Sequence, residues 1–182
     1  MEHPAETLTN GGAVLRRLRP EDLDVLDRII VESLDHLLPW MPWAAAHTRQ
    51  TALEHLDRCE AAWGSGEAYN YAITVDGEPV GSCSLMRRIG PGGMEIGYWI
   101  HPGWTGRGLV TSSAAALVGA AFALPDVTRV EIHHDEANKA SGAVPQRLGF
   151  TVVSRGPDAA VRGAAPAESG VTVVQRLLKS GA

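Results

Sequence analysis

The stretch that decides the fold is Glu95-Ile-Gly-Tyr-Trp-Ile-His101, an apolar strand that runs into the turn Pro102-Gly-Trp-Thr-Gly-Arg-Gly108. A helix of small residues is predicted to follow, from Leu109 to about Ala123. Glycines in the turn have no Cβ, so the backbone can turn tightly and bring its N–H groups close to a ligand. The first turn of a helix adds N–H donors without partners and a partial positive charge. This arrangement predicts a site for an anion such as phosphate.

The glycine pattern alone does not identify the anion. A dinucleotide fingerprint needs a third glycine, but Val110 and Thr111 follow Gly108. The sequence also lacks the Gly-Lys-Ser/Thr triplet of a P-loop. An ordinary glycine turn before a core helix therefore stays open as an alternative on this segment alone.

The rest of the chain supplies the order of elements. Leucines and isoleucines at spacings of three and four after Pro20 predict an amphipathic helix, which Pro39 ends. Thr48 is predicted to cap a second helix that runs to about Trp63. Asp76-Gly77 predicts a hairpin between strands over 69–75 and 79–87. Residues 1–12 are expected to be flexible, and a loop rich in alanine, glycine and proline is expected over 156–170.

Two motifs downstream of the turn carry a family resemblance. Asn138-Lys-Ala-Ser141 follows a predicted strand over 129–133, and Leu148-Gly149-Phe150 ends the next predicted helix. In this order the chain resembles the GCN5-related N-acetyltransferases, and more narrowly their RimJ/RimL branch. The narrower resemblance spans about residues 13–178. It rests on Leu15-Arg-Arg-Leu-Arg-Pro20, Leu38-Pro-Trp-Met-Pro-Trp43, Glu95-Ile-Gly-Tyr-Trp99 and a closing strand near 171–178.

The resemblance implies one α/β (α+β) domain over 13–182, with a mixed, mostly antiparallel sheet of about seven strands and about four helices. It implies acetyl-CoA as cosubstrate, no metal, and direct attack of a primary amine on the thioester in a ternary complex. The acceptor stays open between a protein N-terminus, ribosomal or other, and a small-molecule amine. A homodimer is also compatible with the resemblance.

A catalytically weak CoA-binding or ligand-sequestering module on the same fold is the alternative function. Thr105 stands where the family usually has Arg or Gln, and Val110 where it usually has Gly or Ala. Pro145 lies in the predicted helix over 138–148 and removes one backbone donor there.

The resemblance also assigns the site. Expected cofactor contacts are Trp99, Ile100, His101, Gly106, Arg107, Gly108, Leu109, Val110, Thr111 and Asn138. Expected substrate contacts are Trp40, Trp43, Tyr98 and His134. Asn138 is expected to contact pantetheine or to cap a helix.

Two residues are the catalytic candidates. Glu95 is the leading general base, with an ion-paired structural role as the alternative. Ser141 is expected beside the CoA sulfur, with a plain helix cap as its alternative. His101 is a second candidate base or simply a strand end. Adjacent His133 and His134 would point to opposite faces of a strand, which argues against a shared metal.

Composition excludes several classes of function. The 182 residues carry a net charge of −5, so no basic field for nucleic acid exists. No apolar run reaches membrane-spanning length, and no signal-peptide pattern occurs. Cys59 and Cys83 are expected to be reduced thiols in a cytoplasmic protein, and no Cys–His pair is recognisable.

Overall fold

The computed structural model describes residues 2–157 and 165–180. The helices are α1 (Leu23–Leu37), α2 (Arg49–Ser65), α3 (Leu109–Ala123) and α4 (Lys139–Arg147). The strands are β1 (Thr7–Asn10), β2 (Ala13–Arg17), β3 (Ala68–Val75), β4 (Glu78–Met86), β5 (Gly93–Ile100), β6 (Arg129–Asp135), β7 (Thr151–Pro157) and β8 (Val171–Leu178). They form one sheet in the order β1-β2-β3-β4-β5-β6-β8-β7.

Helices cover both faces of this sheet, and each face has its own apolar core. Leu117 and Ala121 of α3 belong to a core with Leu15 and Ile96 of the sheet. Leu26 and Ile30 of α1 belong to a second core, which Leu56 of α2 and Ala72 of β3 complete. In the described parts of the chain, no helix is both long and apolar enough to cross a membrane.

The strands pair antiparallel except for β5 and β6, which run parallel. This pairing covers only Gly93–Glu95 against Arg129–Glu131, although β5 continues to Ile100 and β6 to Asp135. Beyond Glu95 the two strands therefore separate and leave a gap in the middle of the sheet. The turn before α3 lies beyond the end of β5, at the mouth of this gap.

Local signals in the sequence predicted most elements correctly. Thr48 caps α2 by accepting from the backbone N–H of Thr51. Asp76 and Gly77 both have positive φ (52° and 86°), as a tight hairpin turn of this type requires. The α/β fold with four helices is confirmed.

The strand count was slightly low, because β1 lies inside the segment predicted to be flexible. β1 contains a single large apolar residue, Leu8, and it forms because β2 offers an open edge for pairing. At the other end, β7 extends to Pro157, inside the predicted loop. Residues 158–164 of that loop lie outside the described residues.

Candidate active site

Two cavities meet at the gap between β5 and β6. The first, of about 690 Å³, is lined by the turn at 105–108 and the start of α3, and we call it the turn cavity. The second, of about 650 Å³, is lined by His47, His55 and His133, and we call it the histidine cavity. Met41, Tyr98, Trp99 and Ser141 line both. A molecule in one cavity can therefore meet a molecule in the other beside these four side chains.

The turn cavity has a row of free backbone donors. Gly106 and Gly108 have φ of 74° and 75°, a conformation that residues with a Cβ rarely adopt. Gly108 is the N-cap of α3 and supplies no side chain to cap it. Within the described residues, none of the six N–H groups from Gly106 to Thr111 has a protein acceptor. Together with the helix dipole, these donors form a site for a phosphate-like anion.

Two arginines add positive charge to the turn cavity. The Arg107 guanidinium lies 4.5 Å from the centre of the Trp104 ring, and its Nη2 donates to the Gly103 carbonyl at 3.1 Å. Arg147, in the last turn of α4, lines the same cavity. Arg147 was not among the residues predicted for the site. Its spacing from Ala143 and Val144, which also line the cavity, is the helical signal that could have found it.

The backbone of β5 exposes alternate residues to the gap. The His101 N–H donates to the Val80 carbonyl of β4 at 2.8 Å. Because hydrogen-bonding direction alternates along an antiparallel strand, Trp99 also directs its backbone groups to β4. Tyr98 and Ile100 direct theirs to the gap. Of these three expected cofactor contacts, Ile100 therefore has backbone groups that face the gap, whereas the backbone groups of Trp99 and His101 face β4.

The side chains of Trp99 and His101 differ in placement. Trp99 lines both cavities. His101 lines neither; its Nδ1 accepts from the Gly103 N–H, and its Nε2 lies 3.5 Å from Glu32. This geometry corresponds to the strand-end role that the sequence left open for His101.

Asn138 and Ser141 stand at the start of α4, on the boundary between the cavities. The Asn138 side chain accepts from the Ser141 N–H at 3.1 Å, so Asn138 is the cap of α4 and Ser141 is not. The Ser141 hydroxyl lies 3.4 Å from the Tyr98 hydroxyl. Ser141 thus keeps its side chain at the junction of the two cavities.

Pro145 explains an unusual bond between α4 and β5. A residue at this position normally donates its N–H to the carbonyl four residues earlier, but proline has none. The carbonyl left without that donor is Ser141, and the Tyr98 hydroxyl donates to it at 2.9 Å. Burial raises the pKa of Tyr98 to about 12, although the hydrogen bond with Ser141 opposes this. The phenol therefore stays protonated and remains a donor.

Glu95 is buried in the histidine cavity and paired with Arg88. Arg88 Nε donates to one Glu95 oxygen at 2.7 Å, and its Nη2 bonds the other oxygen. This is the ion-paired role that the sequence left as the alternative to general base. Arg88 follows β4 and reaches Glu95 across the hairpin.

The two adjacent histidines of β6 diverge. His133 lines the histidine cavity, and its Nε2 lies 2.8 Å from a Glu131 oxygen. His134 is absent from the lining of both cavities, contrary to the expected substrate contact. It instead bonds the buried Gln175 at 3.0 Å and packs on Gly142. Among the described residues, no cluster of three metal-ligating side chains is present.

The tryptophans expected at the substrate fall into different cavities. Trp43 lines the histidine cavity and packs on Trp99, with ring centres 6.2 Å apart. Trp40 lines the turn cavity.

A cysteine–histidine contact that the sequence did not reveal lies in α2. Cys59 Sγ is 3.4 Å from His55 Nε2, because residues four apart on a helix are neighbours. Burial raises the pKa of Cys59 to about 12 and lowers the pKa of His55. Both shifts favour the neutral forms, so this pair does not form the thiolate–imidazolium couple of a cysteine nucleophile.

Known proteins resemble this chain over most of its length. The family model of the acetyltransferase (GNAT) domain matches residues 13–151. YdaF of Bacillus subtilis (strain 168), provisionally named a ribosomal N-acetyltransferase, is 30% identical over 148 residues, which are 78% of this chain and 79% of YdaF.

Solved structures share the fold at lower identity. RimL, a ribosomal L7/L12 alpha-N-protein acetyltransferase solved with coenzyme A, superposes with a TM-score of 0.86 at 21% identity, over 95% of this chain and 98% of RimL. MccE, a microcin C7 self-immunity acetyltransferase solved with acetyl-CoA and AMP, gives 0.84 at 19% identity, over 93% of this chain and 94% of MccE.

Proposed function

Because this chain belongs to the acetyltransferase (GNAT) domain family, we propose that it moves an acetyl group from acetyl-CoA to a primary amine. The observation that carries the proposal is the row of six backbone N–H groups from Gly106 to Thr111 without protein acceptors. A pyrophosphate offers many acceptor oxygens to such a row, and Arg107 and Arg147 supply the counter-charge. Thr105 and Val110 do not weaken this site, because the donors come from the main chain.

The pantetheine arm would lie in the gap between β5 and β6. The edge of β5 offers the backbone groups of Tyr98 and Ile100, because none of the described strands pairs with this edge beyond Glu95. An extended amide chain can use these groups as a neighbouring strand would. This path leads from the turn cavity to Ser141, whose hydroxyl is proposed to stand beside the sulfur and to donate to the departing thiolate. A free thiol has a pKa of about 8.5, so this step needs only modest help.

The acceptor amine would enter through the histidine cavity, which meets the turn cavity at Tyr98, Trp99 and Ser141. Two cavities with one junction suit direct attack in a ternary complex. The Cys59 thiol is held neutral by burial, which supports a reaction without an acetyl-cysteine intermediate. The name of YdaF supports a ribosomal acceptor, and the name of RimL, an alpha-N-protein acetyltransferase, supports a protein N-terminus.

The proposal also includes a cytoplasmic location and a homodimeric assembly. Cys59 and Cys83 are both free and buried, which supports a reducing, cytoplasmic location. A homodimer is part of the proposal, and light scattering in solution measures it.

Calorimetry and turnover together test the proposal. Wild-type protein is expected to bind acetyl-CoA and to release free thiol, detected with DTNB, when peptides with free N-termini are added. Gly108→Val is expected to lose most of the affinity for CoA, because a β-branched residue strains a backbone at φ 75° and would shift the donors of the turn. Gly119→Ala in the same helix is the matched control, because its Cβ meets nothing within 4 Å.

The outcomes separate the candidate functions. No binding of CoA by the wild type would overturn the proposal altogether. Tight binding of acetyl-CoA without thiol release for any amine would favour a ligand-sequestering module.

A further inference from the structure

We infer that His133, oriented by Glu131, is the base that takes the proton from the acceptor amine. This inference rests on the proposed function and adds a catalytic residue to it. His133 lines the histidine cavity, as do Glu95 and Ser141. It therefore lies on the side from which the amine would enter, and it does not line the turn cavity.

Hydrogen bonding fixes the tautomer of His133. Its Nε2 lies 2.8 Å from Glu131 Oε2, and an ionised carboxylate can only accept. Nε2 must therefore carry the hydrogen, and in the neutral ring Nδ1 carries the lone pair. The Nδ1 atom lies 3.8 Å from the nearest Glu95 oxygen, which is too far for a hydrogen bond. A carboxylate that holds an imidazole and leaves its second nitrogen free is the arrangement of a positioned general base.

Glu131 is suited to orient the ring because it stays ionised. Burial raises its pKa, but hydrogen bonds from His133 and Arg176 outweigh this, and the net pKa is lowered. Arg176 reaches one Glu131 oxygen with Nε at 2.8 Å and Nη2 at 2.6 Å. His133 bonds the other oxygen. The orienting carboxylate is thus held on both sides and cannot swing away.

Glu95 is less suited to take the proton. Arg88 engages both of its oxygens, so protonation of Glu95 would break part of a bidentate pair. In its present position Glu95 does something else: it places a negative charge beside His133. When Nδ1 takes a proton, the imidazolium lies between Glu131 and Glu95, and both carboxylates stabilise it.

In the proposed step the acceptor loses one proton to His133 and gains the acetyl group. The ammonium form of the acceptor gives one proton to His133 Nδ1 and becomes a neutral amine. Its lone pair forms a bond to the thioester carbonyl carbon, and the bond from that carbon to sulfur then breaks with its electron pair on sulfur. The excess proton on the new amide nitrogen passes to the thiolate. His133 returns its proton to solvent.

Several charged or titratable groups surround His133. Those that line the histidine cavity with it are His47, His55, Arg58, Cys83, Arg88, Glu95 and Tyr98, and those joined through Glu131 are Glu131 itself, Arg129 and Arg176.

His133→Gln is the decisive variant, because glutamine can still donate to Glu131 but cannot act as a base. We expect kcat to fall about 100-fold or more, in line with the usual contribution of a general base. The Kd for acetyl-CoA should stay within about twofold of wild type, and the rise of kcat with pH on the acid side should disappear. His134→Gln is the control, because that neighbouring side chain bonds Gln175 outside both cavities.

Glu95→Gln tells the two candidate bases apart. We expect it to keep the acid-side rise in kcat that His133→Gln loses. The inference is overturned if His133→Gln loses less than tenfold in kcat, or if Glu95→Gln alone removes that rise. Because acetyl-CoA binding is measured on the same proteins, failure of the proposed function would be seen separately, as an absence of binding in wild type.

If His133→Gln does not fold, chemical modification of the wild-type protein tests the same inference. Wild-type protein treated with diethylpyrocarbonate should lose activity in step with modification of His133, mapped by mass spectrometry, and the acceptor amine should protect it. Full activity with His133 modified would equally overturn the inference.

Discussion

Replacement of Gly81 by alanine should disturb the pairing of β4 with β5, the strand that borders the gap in the sheet. Gly81 of β4 lies opposite Ile100 of β5. An added Cβ would lie 2.4 Å from the Trp99 carbonyl oxygen and 2.9 Å from the Ile100 Cα. Both are backbone atoms, so no side chain can rotate away to make room.

The size of the effect follows from these distances. Real Cβ contacts are essentially never below 3.0 Å, so β5 must move away from β4 by about half an ångström at least. Overpacking usually costs about 1–3 kcal/mol, and more where backbone must shift. We expect the free energy of unfolding to fall by about 3 kcal/mol. Because the Ile100 amide faces the gap, affinity for acetyl-CoA should fall as well.

Gly119→Ala gives the same chemical change with the opposite expected sign. Gly119 is exposed within α3, and its added Cβ meets nothing within 4 Å. Alanine in a helix is more stable than glycine by about 0.5–1 kcal/mol. Urea unfolding followed by tryptophan fluorescence measures both variants. Neutral surface substitutions usually change the free energy of unfolding by less than about 0.5 kcal/mol. A change no larger than this in Gly81→Ala would show that the predicted backbone clash does not occur.

Three further predictions follow from buried polar groups. Tyr98→Phe removes the donor to the Ser141 carbonyl and should lower the free energy of unfolding by about 1–3 kcal/mol, measured by urea unfolding. Stability should fall as pH rises from about 10 to 12, because the unfolded chain ionises its tyrosines first, while Tyr98 in the folded state has a pKa of about 12. Absorbance at 295 nm should then show phenolate appearing together with unfolding; phenolate in a folded chain would contradict this. Burial also raises the pKa of the Cys59 and Cys83 thiols. DTNB should therefore find no reactive thiol in native protein and two in urea.

The sequence predicted what local chemistry determines. The turn at 105–108 and the start of α3 at Leu109 follow from glycine and from a run of small helix formers. The cap at Thr48 and the hairpin at Asp76-Gly77 are equally local. Strand β1 was missed because its formation depends on the open edge of β2 and not on its own composition.

The chemistry of the candidate site was harder to predict because it depends on contacts between distant elements. β6 is covered on both faces, with Val130, Glu131 and Ile132 all buried, so alternation could not tell which of His133 and His134 enters a cavity. The pairing of Glu95 with Arg88 depends on how the chain returns after β4.

The hydrogen bond from Tyr98 to Ser141 affects the distance between α4 and β5 where the two cavities meet. In an uninterrupted helix the Ser141 carbonyl would be satisfied internally, and α4 could shift relative to β5 without loss of a hydrogen bond. Because Pro145 has no N–H to give this carbonyl, the Tyr98 hydroxyl donates to it instead, and the bond links α4 to β5 through one tyrosine side chain. The spacing of α4 from β5 at the junction of the two cavities is therefore set in part by the Tyr98 ring, and a shorter or longer residue at position 98 should change it.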